Sequence, residues 1–353
     1  MRVLLTGHHG YIGSVLTKML LQAEHQVTGL DCDYFLQNRF VGEVAGVPGL
    51  SKDLRELELS DLEGYDAVLH LAALSNDPLG DINPQLTYEI NFHATTRLAR
   101  LSKQVGVKRF VFSSSCSMYG AAGSDMLDES APFHPVTPYA ESKVLAEREL
   151  ADLADSEFSP VFLRNTTAYG VSPFMRFDVV LNNLVAWAHT TGRVRIQSDG
   201  TPWRPLIHVE DICRAFLAVL DAPRELIHNQ AFNVGITEEN YQVRDLADIV
   251  KQTVPGCTIE YAADGGPDPR SYRVDFSKIK NTLHRFQPEW SVRRGAEELY
   301  AACRDARLTL EDFDGPRFKR ITHIRKLLAE GHLDSQLRWK HVRPVQAPAT
   351  STV

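Results

Sequence analysis

Met1-Arg-Val-Leu-Leu-Thr-Gly-His-His-Gly-Tyr-Ile-Gly13 opens the chain with a short apolar run. The run reads as a buried strand that passes directly into glycines spaced G-x-x-G-x-x-G at Gly7, Gly10 and Gly13. Residues without a Cβ at such a turn let the backbone, and the N-terminus of the helix beyond it, come close to a pyrophosphate. The spacing of Ile12, Val15, Leu16, Met19 and Leu20 predicts that helix over residues 11–23, with a second strand over 26–30. Asp31 follows the second strand. A carboxylate there accepts hydrogen bonds from a ribose diol and repels a 2′-phosphate, which favours NAD over NADP. Asp53 and Leu54 are expected to flank the adenine.

Outward from this turn the same alternation continues. Strand-like runs at 67–71, 109–113 and 160–164 are separated by helical stretches at 85–105 and 139–152. Such alternation argues for an α/β fold, a doubly wound parallel sheet with helices on both faces. After Gly170 the pattern loosens into helices at 179–190, 209–220 and 242–253 with short strands at 193–197, 231–234 and 258–261. The expected division is a nucleotide-binding domain over 1–170, with later segments near 205–235 interleaved, and a smaller C-terminal α/β substrate domain over 171–305. A helical extension over 306–345 places Ile321, Ile324, Leu327 and Leu328 at helical spacing. Residues 346–353 are small, polar and Pro-containing, and are expected to be a disordered tail.

Composition narrows the function classes. With 43% hydrophobic and 24% charged residues, the 353-residue chain is that of an ordinary globular protein. It has no signal-peptide pattern and no apolar run of membrane-spanning length. Its five cysteines are widely spaced and form no C-x-x-C pair, which suits reduced thiols in the cytoplasm. The thirteen histidines show no metal-ligand spacing, so no metal is expected. The net charge of −7 is uneven, because residues 315–353 carry eight Lys/Arg against Glu330 and Asp334. The rest of the molecule is correspondingly acidic, which speaks against nucleic acid as a partner. The basic segment reads as a helix docked on an acidic body.

The chemistry is carried by Ser113-Ser114-Ser115 and by Tyr139-Ala-Glu-Ser-Lys143. Tyr139 and Lys143 stand one helical turn apart on the same face. A tyrosine titrates near 10 in water, and a neighbouring ammonium stabilises its phenolate so that it can serve as a base. Ser115 is positioned in sequence to hydrogen-bond the same substrate oxygen. Together with the glycine turn, these residues point to hydride chemistry at an alcohol or ketone.

Thr6-Gly-His-His-Gly-Tyr-Ile-Gly13, Leu71-Ala-Ala73, Asn91, Ser113-Ser-Ser-Cys-Ser-Met-Tyr-Gly120, Pro138-Tyr139…Lys143 and Arg204-Pro-Leu-Ile-His-Val-Glu-Asp211 together resemble the extended short-chain dehydrogenases/reductases. The nearest group is the nucleotide-sugar epimerases and dehydratases. The resemblance spans residues 1 to about 300. It implies a Rossmann-type fold, tightly held NAD, a nucleoside diphosphate sugar as substrate and a homodimer built on helices near 85–105 and 139–154. By it, Tyr139 is the base, Lys143 tunes it and also holds a cofactor ribose, and Ser115 faces the substrate. Gly7, Gly10, Tyr11, Ile12, Gly13, Asp31, Asp53, Leu54, Leu71, Ala72, Ala73, Asn91 and Ser113 are the further cofactor candidates. Ser75, Ser117, Thr167, Asn183, Arg204 and Arg270 are the substrate candidates, with Arg273 as the alternative to Arg270.

Departures from the family pattern bear on the reaction. The 4,6-dehydratases carry an Asp-Glu pair after the catalytic Ser/Thr, where this chain has Cys116-Ser117. A 4-epimerase needs only Tyr139 and Ser115, so transient C4 oxidation with 4-epimerisation is the leading expectation. The alternatives are a dehydratase using Cys116 as an acid, where the other reading of Cys116 is a buried inert thiol, a reductase of a 4-keto sugar, and a scaffold that has kept the fold without the chemistry. Thr167 stands where the family has Asn, so the diphosphate contacts are expected to differ.

Overall fold

The structure is a computed structural model that describes residues 1–75, 83–120, 125–262 and 271–341. Arg270 and the expected tail at 346–353 lie outside the described residues. Seven parallel strands form the centre: β1 (Arg2–Thr6), β2 (Gln26–Asp31), β3 (Gly49–Ser51), β4 (Ala67–His70), β5 (Arg109–Ser115), β6 (Ser159–Asn165) and β7 (Gln230–Val234). Their order across the sheet is β7-β6-β5-β4-β1-β2-β3. Both faces of such a sheet are covered, so its strands are apolar throughout rather than alternating. Val3, Leu4 and Leu5 of β1 and Ala67, Val68 and Leu69 of β4 are accordingly fully buried. Neighbours run in continuous register, Val3 opposite Val27 on one side and Ala67 on the other.

One face is covered by α1 (Tyr11–Gln22) and by α5 (Val209–Asp221), whose Leu16, Leu20, Ile212 and Phe216 interlock over Val3, Leu5 and Val111. The other face carries α2 (Ala94–Gln104) and α3 (Pro138–Asp152), with Leu98, Ala146 and Leu150 on Phe110, Phe112 and Phe162. This is the Rossmann-type doubly wound sheet. The helix expected without interruption over 85–105 is divided: Pro84–Tyr88 and α2 are joined by a π turn at Glu89–His93. The strand β3 has only three residues and lies just ahead of Asp53, where a third strand is expected from the sequence. A second apolar cluster lies around α4 (Val180–Thr191), with the helices Val243–Thr253 and Val292–Asp305 packed on the short parallel pair Arg193–Ile196 and Thr258–Tyr261.

The C-terminal extension is bound to the sheet's β2 side. Its helix α6 (Arg320–Ala329) buries Ile324 and Leu327 against Tyr34, Leu74, Leu86 and Ile90, each worth about 2 kcal/mol relative to exposure. Polar contacts fasten the same segment. Trp339 Nε1 donates to the Cys32 carbonyl at 2.7 Å, Tyr34 Oη donates to the Leu337 carbonyl, and Arg338 pairs with Glu56. His323 Nε2 meets the Tyr34 carbonyl at 2.8 Å. The expected amphipathic helix therefore covers an apolar strip beside the glycine turn.

Of the three histidines buried inside the fold, His8, His70 and His208, the first two are shifted far from their ordinary titration. His70 at the end of β4 bridges Thr6 Oγ1 and Thr95 Oγ1, both at 2.7 Å, tying β1 to α2 through β4. Burial, with Lys143 adding to it, pushes His70 down to about 3. Burial and the neighbouring His9 push His8 down to about 4. Both are neutral in the fold, whereas unfolded histidines take up protons near pH 6.5. The unfolded chain thus binds more protons between pH 6.5 and the folded values, so stability is lost as pH falls through that window. Urea unfolding should show a loss of about 1.4 kcal/mol per pH unit for each histidine between pH 6 and 4. His70→Asn should remove one such increment, and an unchanged slope in that variant would contradict a neutral, buried His70.

Candidate active site

The carboxyl ends of β1, β2, β4 and β5 open onto one cavity of about 820 Å³, where doubly wound sheets hold their ligands. At one end lies the glycine turn. Gly7 has φ +78°, and a Cβ there would come within 2.8 Å of the Ala72 nitrogen; a Cβ on Gly13 would lie 2.0 Å from the Gly7 carbonyl oxygen. No side chain fits at either position, so the start of α1 is held directly at the cavity, lined by Gly7, Gly10, Tyr11, Ile12 and Gly13. The first turn of α1 contains no acidic residue and its N-cap has no side-chain bond. Its free N–H groups and positive dipole end face whatever binds.

Asp31 lines the same end, and its carboxylate accepts the backbone N–H groups of His9 at 3.1 Å and Asp33 at 2.9 Å. Burial and the Asp33 charge raise its pKa, against the pull of those two hydrogen bonds. Asp33 is itself pushed up by burial, but bonds from His9 and Ser51 outweigh that and hold it below the usual range. Asp53, Leu54, Leu71, Ala72 and Ala73 complete this wall. The Asp53 carboxylate is forked by Arg55, with Nε at 2.9 Å and Nη2 at 2.5 Å.

Tyr139 and Lys143 reach the cavity from α3, whose start is fixed by Pro138 at its first position and by the Thr137 hydroxyl accepting the Ala140 N–H at 3.2 Å. Lys143 Nζ donates to the Ser113 carbonyl at 2.8 Å and lies 4.5 Å from the Phe112 ring centroid and 5.8 Å from that of Tyr139. Burial drives Lys143 down to about 7, with Glu147 pulling the other way. Its ammonium is costly unless an anion stands beside it. Ser113, Ser115 and Ser117 lie across from α3 on the same wall, and Ser115 Oγ accepts the Ser117 N–H at 3.2 Å. Beneath them a buried ion pair locks α3 to β6: Arg164 meets Glu147 at 2.8 Å and also donates to Tyr119 Oη at 3.1 Å and the Glu129 carbonyl at 3.0 Å.

At the far end stand Ser75, Thr167, Asn183 and Arg204. Arg204 Nη1 donates to the Trp203 carbonyl at 2.9 Å, and Ser75 receives Arg176 at both its carbonyl and its hydroxyl. Arg270 lies outside the described residues. Arg273, its alternative, stacks 4.9 Å over the Trp203 ring and does not line the cavity.

The sequence matches the family model of the NAD dependent epimerase/dehydratase family over residues 3–235. The chain belongs to that family. Relatives in it include UDP-glucose 4-epimerase of Bacillus subtilis (strain 168), 28% identical over 85% of this chain and 95% of its own. UDP-glucose 4-epimerase 4 of Oryza sativa subsp. japonica is 30% identical over 86% and 88%. Among solved structures, MoeE5 in complex with UDP-glucuronic acid and NAD is similar at a TM-score of 0.75, with 28% identity over 87% of this chain and 100% of that one. The cofactor of this epimerase/dehydratase family member is NAD. The glycine turn that no Cβ would fit, the uncapped start of α1 and the Asp31 carboxylate suit that dinucleotide.

The structure places two of the candidate side chains, Cys116 and Asn91, off the cavity wall. Cys116 does not line the cavity; its thiol is fully buried, donating to the Arg164 carbonyl at 3.0 Å, and burial raises its pKa well above the ordinary value. Asn91 does not line it either. Buried in the π turn, it grips Leu74 by accepting its N–H at 2.8 Å and donating to its carbonyl at 3.0 Å, and so shapes the loop after β4. Arg176, Arg195, Tyr272, Arg320 and Ile324 also stand on the cavity wall, and none of them is among the site candidates that the sequence motifs single out. They come from segments far from the motifs, and only the packing brings them in. Cys116→Ala should leave turnover within about threefold of wild type and cost about 1 kcal/mol of stability. A loss of turnover beyond tenfold would return the thiol to the chemistry.

Proposed function

We propose that the protein is a nucleoside diphosphate sugar 4-epimerase. The observation that carries this reading is the convergence of Tyr139, Lys143 and Ser115 on the cavity that also contains the glycine turn. Bound NAD supplies hydride acceptance at the sugar C4 and hydride return to it. Tyr139 Oη takes the proton of the C4 hydroxyl, and Ser115 Oγ hydrogen-bonds the same oxygen. Lys143, poorly hydrated in its site, stabilises the phenolate of Tyr139 electrostatically. After the C4 ketone turns over in the cavity, Tyr139 returns the proton to an oxygen on the inverted centre. Ser75, Ser117, Thr167, Asn183 and Arg204 hold the sugar nucleotide, with Arg204 on its diphosphate.

Supply of carboxylates favours epimerisation over elimination. Water loss needs an acid and a base beyond Tyr139. Among the described residues, the carboxylates on the cavity wall are Asp31, Asp53 and Asp178, and the last two are forked by Arg55 and Arg176. The turn after Ser115 reads Cys116-Ser-Met-Tyr119, with no acid. The same reading includes a cytoplasmic homodimer, supported by the five free cysteines and by the side-by-side packing of α2 and α3 seen in the Arg100–Glu149 pair.

Incubation with a panel of nucleotide sugars, without added reductant, should give a product of unchanged mass with an inverted C4 centre by mass spectrometry and NMR. Loss of one water would overturn the epimerase. Tyr139→Phe should lower kcat by about 10²- to 10⁴-fold while leaving the bound NAD content unchanged. Full activity in that variant would remove Tyr139 from the mechanism.

A further inference from the structure

Arg320 is the first residue of α6, in the C-terminal extension and well beyond the residues matched by the family model. It is 9% exposed and lies on the cavity wall. Its guanidinium stacks 4.5 Å over the Phe35 ring, and among the described residues it has neither a hydrogen bond nor an ion pair. Phe35 follows Asp31 by four residues, so the guanidinium stands beside the segment that leaves β2, within the fields of Arg176, Asp178, Asp31 and Tyr11. Burial, with Arg176 adding repulsion, lowers Arg320 to about 10.

A buried guanidinium with its donors unfilled is unfavourable unless an anion completes the site. The nearby carboxylates do not fill that role. Asp31 is occupied by the amides of His9 and Asp33, and Asp178 is forked by Arg176 at 2.9 and 2.7 Å. Other cations on this part of the wall are already engaged: Lys52 with Asp61 at 2.7 Å, and Lys143 with the Ser113 carbonyl. The start of α1, whose first turn carries no acid, lines the same cavity. An anion-seeking helix start and an unpartnered planar cation therefore face one volume, and the ligand chemistry that answers both is a diphosphate, which Arg binds in bidentate fashion.

We propose that Arg320 ligates the diphosphate of the bound dinucleotide, so that α6 closes the cofactor end of the cavity as a latch. The proposal rests on the assignment of NAD to this cavity. The latch is held by contacts independent of the cofactor: Ile324 and Leu327 on Tyr34 and Leu74, and Trp339 on the Cys32 carbonyl. These contacts grip the segment that follows Asp31, so leaving the site requires the dinucleotide to release Arg320 or α6 to lift.

The test compares full-length holoenzyme with Arg320→Gln and Arg320→Lys. NAD release is followed after a chase with excess ADP-ribose, and affinities for ADP-ribose, adenosine and uridine diphosphate are measured by calorimetry after NAD removal. Arg320→Gln should release NAD and bind ADP-ribose about 10- to 100-fold less favourably. Arg320→Lys should fall between that variant and wild type. Adenosine and uridine diphosphate affinities should be unchanged, which also reports an intact fold. Unaltered NAD release in Arg320→Gln would overturn the proposal. So would an equal loss for adenosine and ADP-ribose, a loss confined to uridine diphosphate, or one confined to 2′-phosphorylated ADP-ribose. A wild-type protein that neither retains nor rebinds NAD would overturn the cofactor assignment beneath it, a result distinct from normal binding that Arg320→Gln leaves untouched.

Discussion

The close approach of the β1–α1 turn to the segment after β4 sets the geometry of the whole site. Gly7 and Gly13 stack the turn on itself, and Gly7 lies so near Ala72 that the two loops share one wall. That contact fixes where α1 begins, and hence where its free N–H groups point. It also fixes the path of Leu71, Ala72 and Ala73 past the cavity. The polar chain from Thr6 through His70 to Thr95 holds the two strands and α2 to the same spacing from below. The reactive side chains sit on a second rigid unit. Helix α3, locked by the buried Glu147–Arg164 pair, presents Tyr139 and Lys143 against the end of β5. Breaking such a pair costs several kcal/mol because it leaves one charge buried alone. The site is thus built between two stiff supports, and its chemistry needs little further ordering.

Much of this was legible in the sequence because it is local. Strands buried on both faces announce themselves as short apolar runs, and β1, β2, β4, β5, β6 and β7 each contain one. The glycine spacing, Asp31, the serine cluster and the Tyr139/Lys143 pair are likewise local patterns, each tied to one turn or one helix face. Their meeting on one cavity wall follows from the rule that the carboxyl edge of a parallel sheet collects the loops.

What the sequence did not disclose depends on distant partners. The Cys116 thiol adjoins Ser115 in the chain, but the turn that begins there rotates it inward against the Arg164 carbonyl, away from the cavity. Asn91 looks like a ligand-binding side chain and is spent instead on the backbone of Leu74. The apolar spacing of Ile321, Ile324 and Leu327 indicated a docked helix without indicating its dock. The dock is made by Tyr34, Leu74, Leu86 and Ile90, more than two hundred residues earlier.

The π turn at Glu89–His93 fits one more residue into a helical turn than its neighbours hold. Asn91 lies inside it and Thr95 and Leu98 lie just beyond, facing His70 and the Phe110 layer respectively. Excising a single residue from the turn would rotate everything downstream by about 100°, swinging Thr95 off His70 and bringing a charged neighbour such as Arg97 or Arg100 towards the apolar layer. The length of this segment is therefore quantised. Changes of side chain can be absorbed there, whereas insertions and deletions cannot, and related chains that share this loop grip should hold the spacing from Asn91 to Thr95 fixed even where the residues between them differ.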